Sequence, residues 1–279
     1  MTKISIDRLT FLGDVSETSN LEVFLANSEY VKHRGFSKYP YRDYVTFIDG
    51  SILQLAETGA VRSGKVQGLR YEFNPNNTLF EPIHINVLKH FKHARVSRID
   101  VAMDVFDVDM SSWHWLDKKS RKQNHWIDGL GNKETVYVGG KDSDLKLRIY
   151  NKALEQNDGD KTWWRVEVQL RGDIADSYRR LSLHGQVNIN PFEDVTPVQN
   201  KDFGHLDIKD RAMIAYLLQH PDGFSELSKN TRSKYKNLMK EHAAVNDVDL
   251  KTLWNEKSSE LGSELDSWYK ITDIFRLTS

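Results

Sequence analysis

Three short segments of this sequence carry charged side chains at every second position, a spacing that concentrates chemistry on one surface. Alternate residues of a strand point to opposite faces. In 97–104, Arg98, Asp100 and Asp104 therefore share a face with small Ala102 between them, and Ile99, Val101 and Met103 take the other. In 146–152, Lys146, Arg148, Tyr150 and Lys152 oppose Leu147 and Ile149. In 165–171, Arg165, Glu167, Gln169 and Arg171 oppose Val166, Val168 and Leu170. If the strands lie side by side, one surface holds three carboxylates, several cations and a tyrosine. Carboxylates without cysteine or histidine suit hard, oxygen-preferring ions such as Mg²⁺ or Mn²⁺. Such an ion can polarise a phosphodiester while arginines hold its oxygens, and Tyr150 can attack the phosphorus to leave a phosphotyrosine. A phenol ordinarily titrates near pH 10, so metal or neighbouring cations must favour the phenolate. An antiparallel sheet with one solvated face and cross-strand Arg–Glu pairs gives the same alternation. Spacing alone leaves both readings open.

These segments need a sheet to hold them, and the first two-thirds of the chain reads mainly as strands. Residues 4–11 alternate and end toward Gly13; 44–48 and 51–55 flank Asp49-Gly50, a two-residue hairpin signal. Residues 69–73 stop at the turn cluster Asn74-Pro75-Asn76-Asn77. Residues 82–94 predict a helix, followed by strands over 96–106, 135–138, 145–150 and 163–170. After Gly172 the period changes: 174–183 predicts a helix, and 188–197 a linker. From about 206 only helices are expected, over 208–218, 224–228, 231–242, 250–261 and 263–276. Strands then helices predict an α+β fold, a mainly antiparallel sheet body with flanking helices over residues 1–190 and an all-α appendage over 205–279.

The segments 98–104, 135–155 and 165–172, with Ser5-Ile6-Asp7-Arg8-Leu9-Thr10-Phe11 and Tyr71-Glu72-Phe73-Asn74-Pro75-Asn76 before them, resemble in order the motifs of the Rep_trans family. Its members are replication initiators of small Gram-positive rolling-circle plasmids, with related relaxases of integrative elements and phage-like replication initiation factors. The resemblance covers roughly residues 4–172. It implies a site-specific endonuclease and strand transferase that nicks one origin strand, stays attached to the 5′ phosphate and leaves a 3′ hydroxyl to prime synthesis. The tyrosine of the Arg-x-Tyr-x-Lys motif is Tyr150, and Tyr137, followed by Gly139-Gly140, is the rival nucleophile. Asp100, Asp104 and Glu167 are the candidate metal ligands, with Arg148, Lys152 and Arg171 stabilising charge on the phosphate. Other nickases use a His-hydrophobic-His motif, which His84-Ile85-Asn86 fails. A relaxase of an integrative element and a catalytically silent DNA-binding repressor are the competing readings. The resemblance further implies a homodimer and a replicative helicase as partner.

Sequence-specific origin binding requires a recognition element. Residues 224–240 resemble the short-helix, turn, recognition-helix order of a helix-turn-helix, with Lys229, Arg232, Ser233, Lys234 and Lys236 placed to meet phosphates or base edges. A second cationic run, Lys118, Lys119, Ser120, Arg121 and Lys122, follows Trp113 and Trp115 and could track single-stranded DNA with aromatic stacking. Residues 247–266 are acidic and are expected to face away from DNA. The 279 residues contain 39 Lys and Arg, 40 Asp and Glu, and no cysteine. A bulk polycation, disulfides and thiol chemistry are thereby excluded. No run approaches the ~20 apolar residues of a membrane span, and the reading at this level is a soluble cytoplasmic protein with no membrane partner.

Overall fold

The computed structural model describes residues 2–16, 20–64, 66–119, 121–129, 133–158, 161–182, 189–199, 203–242 and 248–274. Its strands are β1 (Thr2–Val15), β2 (Val31–Phe36), β3 (Asp43–Phe47), β4 (Ile52–Leu55), β5 (Leu69–Phe73), β6 (Phe91–Phe106), β7 (His114–Asp117), β8 (Gln123–Ile127), β9 (Lys133–Val138), β10 (Leu145–Asn151), β11 (Trp163–Arg171) and β12 (Val195–Val198). Its helices are α1 (Leu21–Asn27), α2 (Thr58–Arg62), α3 (Glu81–Leu88), α4 (Lys152–Glu155), α5 (Gly172–Ser182), α6 (Ile208–Gln219), α7 (Lys229–Glu241) and α8 (Leu250–Ile274). The fold is α+β. Ten strands form one antiparallel sheet in the order β2-β3-β4-β5-β1-β6-β11-β10-β9-β8, and β7 and β12 pair separately.

The long central pair β1–β6 carries the sheet. Its register shifts between Leu12 and Asp14, and Gly13 sits at that irregularity. A Cβ there would come within 2.7 Å of the Phe91 ring and 3.0 Å of the Lys92 carbonyl. Glycine therefore lets the strand continue through a close approach where the sequence suggested a stop. A hairpin forms at Asp49-Gly50, but its loop is three residues, Ile48-Asp49-Gly50, closed between Phe47 and Ser51, with Gly50 alone at positive φ, +85°, and its N–H donating to the Phe47 carbonyl.

One sheet face is apolar. Ile99, Val101 and Met103 of β6, Leu147 and Ile149 of β10, and Val166, Val168 and Leu170 of β11 lie buried in a single core. The helices α3, α5 and α8 cover it. The helix expected over 82–94 stops at Leu88, because Phe91 and Ala94 are drawn into β6 and this core. The stretch 188–197, expected as a linker, holds β12, which pairs with β7 as a separate two-stranded sheet; Asn188 lies outside the described residues. Likewise the two terminal helices are one, α8, with Leu250, Trp254, Leu261, Leu265 and Trp268 packed in the sheet's core. Leu183, Asp247 and Arg276, the ends of three expected segments, also lie outside the described residues. A second core joins Val198 and Phe203 to Ile214, Leu217 and Leu218 of α6 and Tyr235 and Met239 of α7. The helical tail is thus distributed over two cores.

The main core encloses polar groups with a pH consequence. His84 is fully buried, with the Tyr71 hydroxyl 2.8 Å from its Nδ1 and an Asp49 carboxylate oxygen 3.6 Å from its Nε2. Burial lowers His84 to about 4 despite Asp49, and burial beside Lys89 lowers His90 to about 4. The unfolded chain therefore takes up these protons first, near pH 6.5. Stability is full above that value and declines as pH falls from 6.5 toward 4. By pH 5 the expected loss is up to about 2 kcal/mol per histidine. Urea melts at pH 7 and pH 5 read this directly, and an unchanged midpoint would contradict it.

Candidate active site

The three alternating segments are neighbours, β6, β11 and β10 in that order, and their polar faces coincide. Cross-strand register places Asp104 opposite Arg165 and Arg165 opposite Tyr150. The next row runs Ala102, Glu167, Arg148, Tyr137, and the one after it Asp100, Gln169, Lys146. Arg98 pairs with Arg171 at the end of the surface. Directly opposed side chains lie within interaction distance, so the rows decide who meets whom.

Toward β1 and β5 the face is a closed ionic lattice. Arg98 donates to both oxygens of Asp100, Nε at 2.8 Å and Nη2 at 2.6 Å, and Gln169 Nε2 adds contacts at 3.2 and 3.3 Å. Arg165 grips Asp104 in the same two-pronged way, at 2.7 and 2.9 Å, and Trp163 Nε1 donates to it at 2.8 Å. Glu72 receives Arg8 at 2.9 Å and Arg70 at 2.6 Å. Asp100 and Asp104 are almost wholly buried. Buried carboxylates persist only when paired and hydrogen-bonded. Burial alone would lower Arg165, but its bonds to Asp104 outweigh that and hold it above the ordinary guanidinium value.

This lattice corrects the expected metal site. Asp100 and Asp104 are four residues apart on one strand, about 13 Å along it. The oxygens around one ion must lie roughly 2–2.6 Å from it, which two aspartates so placed cannot satisfy together. Each is also occupied by an arginine fork. Among the described residues no three His, Asp or Glu side chains converge to hold a metal. Asp100, Asp104 and Glu167 therefore do not fit a shared ion, and the first two act as counter-charges to Arg98 and Arg165.

The half of the face formed by β10 and β9 is organised differently. The Arg148 guanidinium lies 3.9 Å from the centre of the Tyr150 ring and 6.0 Å from that of Tyr137; Lys152 Nζ is 5.7 Å from Tyr150 and Lys146 Nζ 4.4 Å from Tyr137. Among the described residues Arg148 meets only loose carboxylates, Glu167 at 3.7 Å and Glu155 at 3.8 Å, and its buried Nε has no hydrogen-bond partner. Lys152 is ion-paired to Glu155 through the short helix α4. Arg171 reaches the Lys141 carbonyl at 3.1 Å, away from Tyr150.

Electrostatics separate the groups further. Burial raises Tyr150 above the usual phenol value, with Arg165 and Arg148 opposing and Glu167 and Glu155 reinforcing the shift. Burial also raises Glu167, and the Asp100 charge adds to it. Burial would raise Glu155 as well, but its hydrogen bond from Lys152 outweighs that and leaves it lowered. Burial and then Arg171 lower Lys146. Alternation read from one strand could not assign Arg165, Trp163 and Gln169 as partners of the aspartates, or Glu155 as the ion-pair partner of Lys152.

The DNA-contact candidates divide by partner. In α7, Arg232 donates to the Ser225 and Leu227 carbonyls at 3.2 and 3.1 Å, and Lys234 donates to Asp210 of α6 at 2.7 Å. Lys234 thus ties α7 to α6, and Arg232 ties it to the segment that precedes it. Lys229 and Ser233 are exposed, and Lys236 sits 5.6 Å from the Phe224 ring centre. In the second cluster Lys118 donates to the Glu193 carbonyl, Lys119 pairs with Asp194, and Arg121 donates through Nε and Nη2 to Asp117. Lys122 is exposed, and Ser120 lies outside the described residues. Trp113 and Trp115 are buried, which corrects the expectation that they stack on bases.

Residues 94–181 match the Rep_trans family, described as replication initiation factor. A replication initiation protein of Staphylococcus aureus is 30% identical over 215 residues, covering 73% of this chain and 65% of the relative. Another from the same organism is 24% identical over 280 residues, covering 96% of this chain and 86% of the relative. The chain thus spans a little under two thirds of the length of the first of these. Among solved structures, a rolling circle replication initiator protein from Geobacillus stearothermophilus aligns with a TM-score of 0.46 at 22% identity, covering 64% of this chain and 77% of that one.

Proposed function

From a chain whose segment 94–181 belongs to the Rep_trans family of replication initiation factors, we propose a rolling-circle replication initiator that nicks one origin strand through Tyr150. The observation that carries this reading is the contrast within one sheet face. Asp100 and Asp104 are saturated by arginines, while Arg148 and Lys152 flank Tyr150 and the Arg148 guanidinium has only loose carboxylate contacts at 3.7 and 3.8 Å. A phosphodiester is an anion, and cations with spare donors are what it requires.

In the proposed step, Arg148 and Lys152 hold the non-bridging oxygens. The bond from Tyr150 Oη to phosphorus forms as the bond from phosphorus to the 3′ oxygen breaks. The phenolic proton passes to Glu167, whose carboxylate has no arginine within hydrogen-bond distance among the described residues and whose raised affinity for protons suits a base. The departing 3′ oxygen takes a proton from water. Reversal by a 3′ hydroxyl closes the strand at termination. Arg171 serves the approaching backbone rather than the reacting phosphate.

Origin duplex recognition belongs in this reading to α6 and α7, with a helicase and a second copy of the chain as partners in unwinding. Exposed Lys229 is the backbone contact, so Lys229→Ala should weaken duplex binding across sequences and lower the salt slope by about one. Arg232→Ala should instead loosen the start of α7 from the segment before it and lower stability. Binding isotherms over a salt series, with melts alongside, separate the two effects.

The test is to incubate the full chain with supercoiled origin plasmid and Mg²⁺ or Mn²⁺, then map the peptide linked to nicked DNA. The expected peptide contains Tyr150. An adduct on Tyr137, or nicking without any adduct, would overturn the assignment. Tight binding without cleavage would favour the repressor.

A further inference from the structure

β8 is an edge strand of the ten-stranded sheet, and its Trp126 is 65% exposed while Trp113, Trp115, Trp164, Trp254 and Trp268 are buried. Leaving an indole in water forgoes one of the largest apolar burials available to a side chain. The register shows what it is exposed toward. Trp126 pairs with Thr135 of β9, and Thr135 pairs with Tyr150 of β10. The three side chains therefore form one row on the charged face, with the backbones of Trp126 and Tyr150 roughly 10 Å apart across two strand spacings. Gln123 and His125 alternate to the other side, opposite Val138 and Val136 of the core.

The surroundings of this row suit a polyanion. Lys146 and Arg148 lie over Tyr137 and Tyr150, and exposed Lys122 immediately precedes β8. Exposed Asn124, opposite Tyr137, adds a polar group on the same face. Cations with an exposed aromatic face beside them are the ingredients of single-strand binding, since every base can stack on an indole whatever its identity.

We propose that Trp126 is a nucleobase-stacking position that holds the single strand whose scissile phosphate lies at Tyr150. This rests on the nicking reading above and assigns the direction of the strand across the sheet: over β9 to the β8 edge, a few nucleotides from the reacting phosphate. A base fixed there restrains the backbone between itself and Tyr150, so Trp126 positions substrate without touching the reacting atoms.

The experiment titrates the full chain with an oligothymidylate of about 16 nucleotides and follows tryptophan emission. The parent is expected to show quenching on binding. Trp126→Ala should lose most of the quench and about tenfold in affinity, while Trp126→Phe keeps most of the affinity. Both should melt as the parent does, because the side chain is exposed. Equal affinity and equal quenching in Trp126→Ala would overturn the proposal. So would emission that shifts with protein concentration alone, together with a dimer lost in Trp126→Ala, which would put a second copy of the chain on β8. The nicking assay keeps the two readings apart. Quenching through Trp126 in a protein that never nicks leaves the stacking site and removes the nickase. Nicking in the parent with Trp126→Ala indistinguishable in binding removes the stacking site alone.

Discussion

Tyr150→Phe is expected to abolish the covalent protein–DNA adduct and to lower the nicking rate by roughly 10⁴-fold or more, the scale seen when a nucleophile is removed. The fold should survive. The ring is buried between β9, β11 and the Arg148 guanidinium, 3.9 Å from its centre, and phenylalanine preserves that packing and the cation–π contact. Tyr137→Phe is the paired control and should nick normally. The pH profile carries a second signature. With Glu167 raised by burial and by Asp100, the base protonates at a higher pH than an ordinary glutamate. The rate should accordingly fall on acidification earlier than a free carboxylate would predict. Glu167→Gln should lower the rate and remove that limb. Full nicking by Tyr150→Phe, measured as the covalent complex and as relaxed plasmid, would refute the assignment.

Asp104→Asn is expected to act on stability. Removing one partner of a buried ion pair leaves the other charge uncompensated, at about 3–5 kcal/mol. Here Arg165 would lose its counter-charge and one prong of the fork, since the amide keeps a single acceptor oxygen, leaving Asp7 at 3.5 Å as the nearby carboxylate. For a chain of this size that corresponds to a melting temperature lower by roughly 10 °C. Asp100→Asn should behave similarly through Arg98. Adding Arg165→Met to Asp104→Asn should restore much of the loss, because the stranded charge goes with its partner. A metal-ligand role predicts a different pattern: a parent-like melt with nicking that requires more Mg²⁺ or Mn²⁺. Thermal melts and metal titrations on the same preparations decide between them.

Much of the sheet was legible because period two survives wherever one face is buried. Ile99, Val101, Met103, Val166 and Val168 had no alternative to the core, and that forced Asp100, Tyr150 and Glu167 to the other side. The Asp49-Gly50 turn was legible for a local reason, a positive φ that glycine supplies. Where packing outvoted local pattern, the reading failed. Gly13 looks like a stop, yet the Phe91 ring requires its missing Cβ. Phe91 and Ala94 fit a helical stripe but were claimed by β6. Trp113, His114 and Trp115 look like an exposed aromatic cluster beside cations, yet the two tryptophans are buried in the sheet's core and His114 against the Leu218 carbonyl of α6.

The sequence by itself determined which residues share a face, because alternation is a property of a single strand. It thereby singled out Tyr150, Arg148 and the three carboxylates. Only the tertiary structure decided which of them remain available for chemistry, because availability depends on register between strands far apart in the chain. Asp104 stands opposite Arg165 and Asp100 opposite Gln169, so those carboxylates are occupied. Tyr150 stands between Arg165 and Thr135, in one row with exposed Trp126, and its ring is packed under Arg148 rather than tied into the carboxylate lattice.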